Sequence, residues 1–71
     1  VIDLHFLQEG VIVALVEAAT HVPEAGSRVS VNESGGDVKT FKILAVDYEY
    51  LILGQTLNRQ IALLSVAPET K

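Results

Sequence analysis

Ile2, Leu4 and Phe6 alternate with Asp3 and His5 along Val1 to Leu7, the period-two pattern of a half-buried strand. Gln8-Glu9-Gly10 interrupts the pattern, and a second apolar run, Val11 to Val16, follows at once, so the two segments predict a hairpin. A helix with Asp3 as its N-cap and Gly10 as its stop is the competing reading; the β-branched run and the glycine turn favour the hairpin. From Ala18 to Ser27 the periodicity dissolves, and Pro23 and Gly26 punctuate a connection. Arg28 to Asn32 alternates again, with Val29 and Val31 inward. In Glu33-Ser34-Gly35-Gly36-Asp37 the paired glycines supply the positive φ that tight turns need, which makes the third and fourth strands antiparallel neighbours.

Val38 to Leu53 is sixteen residues without glycine or proline and rich in β-branched and aromatic side chains. Strict alternation puts Leu44, Val46, Tyr48, Tyr50 and Ile52 on one face, and Phe41, Ile43, Ala45, Asp47, Glu49, Leu51 and Leu53 on the other. Both faces are apolar at the ends, and one turns acidic in the middle. A strongly bent strand that serves two sheets of a small barrel buries different faces along its length, whereas a flat sheet does not. Gly54 to Asn58 turns the chain, Arg59 to Ala67 forms a fifth strand, and Pro68 ends it. Leu51, Leu53, Ile61, Leu63 and Leu64 crowd both faces of these last two strands, and a neighbouring subunit would cover the outer side. These five are the candidate self-association residues.

Composition sharpens that expectation. A chain of 71 residues closes one core, so residues 1–71 read as a single domain, and a core of that size is thin. The usual staples are missing: there is no cysteine, and no Cys or His cluster has zinc spacing. Yet 49% of the residues are hydrophobic, more than a lone domain of this length easily hides. A homo-oligomer is expected, with a further protein partner possible. The formal charge of −4 repels phosphate backbones and anionic membranes, and the five cations Arg28, Lys39, Lys42, Arg59 and Lys71 form no run. Nucleic acid is therefore a disfavoured partner. No stretch reaches the roughly 18 apolar residues of a membrane span, and no secretory leader pattern opens the sequence; the expected setting is the cytoplasm.

Candidate chemistry is sparse. His5 and His21 could ligate a metal with Asp3 or Glu24, but they lie in different segments without ligand spacing. Asp47 and Glu49 share a strand face, as an acid–base pair would, yet no nucleophile or oxyanion donor accompanies them. Gly35-Gly36 has no following helix to make it a phosphate loop. Asn32-Glu33-Ser34 matches a glycosylation sequon by chance. The residues therefore assign no catalytic, cofactor or metal site. Tyr48 and Tyr50 on one face could stack bases, and with Asn58 and Arg59 they are the candidate nucleic-acid contacts.

Two resemblances fit this pattern. His21-Val22-Pro23-Glu24-Ala25-Gly26-Ser27-Arg28-Val29, followed by Phe41 to Tyr48, resembles small SH3-like barrel proteins of bacteria and phages, in which a Pro-x-x-Gly turn leads into a strand; the likeness covers about half the chain. Ile43 to Pro68 is similar to the C-terminal part of the Sm-like proteins, the ring-forming RNA-binding barrels that include Hfq, with Asp47-Tyr48 where that family has an aspartate beside an aromatic. Tyr50, Leu51 and Ile52 stand where that family often has an asparagine, and Asn58-Arg59-Gln60-Ile61 replaces its last-strand motif. The resemblance thus implies ring assembly more than RNA recognition. The sequence reads as all-β, a five-stranded SH3-like or Sm-like barrel with a strongly bent antiparallel sheet. It reads functionally as a non-enzymatic interaction and assembly module, the alternative being an Sm-like RNA-binding ring.

Overall fold

The apolar alternation organises into five strands: β1 (Ile2–Gln8), β2 (Val11–Ala19), β3 (Arg28–Asn32), β4 (Val38–Leu53) and β5 (Thr56–Pro68). The computed structural model describes residues 1–32 and 34–69; Glu33 of the predicted turn and sequon, and Lys71, lie outside the described residues. No helix forms among the described residues, so the N-terminal segment is the hairpin and not the capped helix.

Turn chemistry closes the strands. Glu9 (φ 51°) and Gly10 (φ 81°) form a two-residue loop between Gln8 and Val11, and positive φ at both positions is the type I′ signature. Gly54 (φ 66°) and Gln55 join Leu53 to Thr56. The predicted five-residue turn over Gly54 to Asn58 is thus only two residues long, and Thr56, Leu57 and Asn58 belong to β5. The Pro23-x-x-Gly26 segment makes the expected turn: Ser27 N–H donates to Glu24 C=O at 3.1 Å across Gly26 at φ 92°. It delivers the chain to β4, where Gly26 N–H donates to Ile43 C=O and Ile43 N–H to Ser27 C=O.

The strands form one sheet in the order β2-β1-β5-β4-β3. It is strongly curled into a half-barrel. Three pairings are antiparallel, and β1 runs parallel to β5, with Asp3 opposite Ile61 and Leu7 opposite Ser65. The sheet is therefore mixed where a wholly antiparallel one was expected. It also leaves β2 and β3 as edges, so β4 bends within a single sheet and does not bridge two.

The core lines the concave side of the three central strands: Leu4 and Phe6 from β1, Phe41 and Ile43 from β4, and Ala62, Leu64 and Val66 from β5. β4 joins this face at both ends because of a bulge. Ile43 pairs with Val66 and Ala45 with Ser65, so Leu44 is an inserted residue that absorbs one step of alternation. Phe41 and Ile43 consequently share the concave face with Val46, Tyr48 and Tyr50, where strict alternation had put them on opposite faces.

Candidate self-association surface

The long β4–β5 hairpin outruns its neighbours. β3 pairs with β4 only over Val38 to Lys42, and β1 pairs with β5 only over Ile61 to Ser65. Past Ile43 and before Ile61, among the described residues, β4 and β5 are paired as strands only with each other, with Arg59 and Gln60 reaching Asp3 and Val1 through their side chains, and a two-stranded ribbon is marginal in water without cover. The ribbon nevertheless carries Tyr48, Tyr50, Leu51, Ile52, Leu53 and Leu57, each 44–62% exposed.

Register sorts these residues by face. Tyr48 lies opposite Ala62, Tyr50 opposite Gln60 and Ile52 opposite Leu57, which extends the concave core surface toward the tip. On the convex face Asp47 lies opposite Leu63, Glu49 opposite Ile61, and Leu51 opposite Arg59; Leu53 continues that face. Four of the five sequence-predicted association residues, Leu51, Leu53, Ile61 and Leu63, are thus brought to one surface. Leu64 is fully buried in the core and belongs to no surface. A second exposed apolar strip, Val11, Ile12, Val13, Leu15 and Val16, runs along β2; the sequence shows it only as an unbroken apolar run, with no polar position to mark which side meets solvent.

The proposed nucleic-acid contacts are not assembled into one site. Tyr48 and Tyr50 face the concave side, Arg59 faces the convex side, and Asn58 sits in a second bulge between Leu57 and Arg59. Arg59 is also engaged: its Nε donates to Asp3 Oδ2 at 2.8 Å, and its Nη2 lies 2.7 Å from the same oxygen. The other oxygen, Oδ1, accepts from Ala18 N–H at 3.0 Å. That bond from Ala18 first, and Arg59 second, hold the Asp3 carboxyl below its ordinary pKa. Ala18 itself is a non-glycine residue at φ 54°, inside a β2 bulge that begins after Val16. Sequence reading gave Asp3 only a minor place beside the histidines; its partner is 56 positions away, beyond any local signal.

His5 lies on β1 opposite Leu15 and Leu63, and His21 lies in the β2–β3 connection. Among the described residues no group of three or more His, Asp or Glu could hold a metal ion. A cleft of about 370 Å³ opens between the β1–β2 hairpin and the start of β4, lined by Gln8, Val13, Val38, Lys39, Thr40, Phe41, Pro68 and Glu69. Its rim is tied by the Arg28–Glu69 ion pair at 2.9 Å, and no histidine or cysteine lines it. The chemistry concentrated in this molecule is therefore apolar surface. No protein-family model, curated protein or solved structure matches the chain.

Proposed function

We propose that the protein is a non-enzymatic interaction and assembly module that associates with copies of itself, in the manner of the small SH3-like and Sm-like barrels of bacteria and phages. The observation that carries this reading is the β4–β5 ribbon, which exposes large apolar side chains on both faces yet, among the described residues, has no third strand beside its tip. Withdrawing a half-exposed Leu, Ile or Tyr from water contributes on the order of 1 kcal/mol. Four such residues on the concave face and two on the convex face of each of two subunits are, with both faces covered, comparable to the roughly 4–15 kcal/mol that association costs in lost freedom. The curled five-stranded sheet supports the likeness to those barrels.

The double variant Leu51→Lys/Leu53→Lys tests the reading by light scattering after size exclusion. Its mass is expected to fall to that of the monomer while its far-UV circular dichroism stays β-rich; an unchanged mass would count against the ribbon. The paired exposed tyrosines favour a second reading, an Sm-like RNA binder. Asp47 and Glu49 beside them, and the engagement of Arg59 by Asp3, weigh against it. Oligo-A and oligo-U are accordingly expected to bind weakly at physiological salt, because few phosphates can be neutralised at once. Submicromolar, salt-sensitive binding would replace self-assembly with that reading.

A further inference from the structure

We infer that the free edge of β4, residues 44–53, docks an extended protein strand in which cationic and apolar side chains alternate. This goes beyond self-association, and it rests on the edge of the ribbon and not on its faces. Past Ile43 nothing among the described residues pairs with β4 on the side away from β5, so alternate backbone N–H and C=O groups point outward and unmatched. Edge strands are ordinarily blunted by charged side chains, lysine above all, or by proline, bulges or cover, and here Asp47 and Glu49 are the only charges. From Ala45 to Leu53 this one has no bulge of its own, and it carries no lysine, arginine, proline or glycine. The other long edge, β2, is irregular at Val13 and again at Glu17-Ala18, and those bulges spoil it as a template.

The side chains of the β4 edge define what fits. Asp47 and Glu49 project on the convex face, about 6.8 Å apart along the strand, and neither has an ion-pair partner among the described residues. Tyr48 and Tyr50 project on the concave face with Val46 and Ile52. A strand added here places its own residues on the same two faces in turn, so lysines or arginines two apart meet the carboxylates while apolar residues meet the tyrosines.

The same charges disfavour the longest pairings of this edge with a second copy. Two registers let two β4 edges pair along their full free length. The one centred on Tyr48 sets Asp47 of each copy opposite Glu49 of the other, and the one centred on Glu49 sets the two Glu49 side chains face to face. Like charges directly opposite destabilise a strand pair. In those registers the edge repels itself, whereas a cation-bearing strand meets it with opposite charge.

The test uses the intact chain and a fluorescent, end-blocked eight-residue peptide of alternating Lys and Val. Anisotropy is expected to show saturable binding that weakens at least tenfold when the same residues are rearranged as a Lys block and a Val block, when Glu replaces Lys, or when alternate peptide amides are N-methylated. Asp47→Asn/Glu49→Gln, exposed positions whose change should leave the circular dichroism intact, is expected to weaken binding at least tenfold as well. Equal binding of the blocked and alternating peptides, or full binding to the double variant, would overturn the inference. The outcome is separable from self-assembly: a chain that sediments as a monomer and still binds the alternating peptide keeps this inference and loses the earlier one.

Discussion

Asp3 is where both ends of the chain meet, since one carboxylate holds the backbone of the β2 bulge through Ala18 and the β5 side chain of Arg59. Its lowered native pKa gives a signed expectation. A group whose pKa falls on folding stabilises the native state fully above its unfolded value, about 3.9 for aspartate, and that stabilisation is lost as pH falls through the lower native value. Asp3→Asn should therefore unfold at lower urea than the wild type near pH 6. The gap should close as both are taken below about pH 4, because the wild-type carboxyl then becomes neutral too. A gap that stays constant down to pH 2 would mean that the carboxylate charge does not hold the clamp. Gly54 and Gly10 serve the fold at the same scale: each sits in a two-residue turn at positive φ, where a side chain on the backbone is strained.

At the scale of the strand, β5 separates what is core from what is surface. Leu63 and Leu64 are adjacent and point to opposite sides, half-buried and fully buried respectively. Leu64→Lys puts an unpaired charge among Phe6, Ile43 and Val46 and should cost more than about 4 kcal/mol, enough to unfold a small domain. Leu63→Lys should leave a cooperative thermal transition in place and act mainly on association. Equal loss of structure in both variants would contradict the assigned faces. The five strands themselves were legible in the sequence, because alternation and positive-φ glycines are local signals. The bulge at Leu44 was not, because an inserted apolar residue between Ile43 and Ala45 leaves period-two reading with no polar marker for the slip. The parallel β1–β5 pairing was hidden for a different reason: it joins segments at opposite ends of the chain, and nothing in either strand states its direction. The acidic patch at Asp47 and Glu49 could be read as sharing a face; that this face borders an unpaired edge could not.

The whole molecule measures 47 × 25 × 20 Å, and its Cα radius of gyration is 13.2 Å, against about 11 Å for a compact domain of this length. The excess reflects the hairpin that projects past β1 and β3. Among the described residues seven buried side chains make up the core, while more large apolar residues than that lie exposed along β2 and the ribbon, an imbalance that is costly for a domain of this size standing alone. The proposed self-association through the ribbon would cover its share of that surface, and sedimentation equilibrium of the wild-type chain at tens of micromolar measures it most directly. The expected mass is a multiple of 7.6 kDa and shifts toward that of the single chain on dilution. A mass of one chain, unchanged across that concentration range, would contradict it.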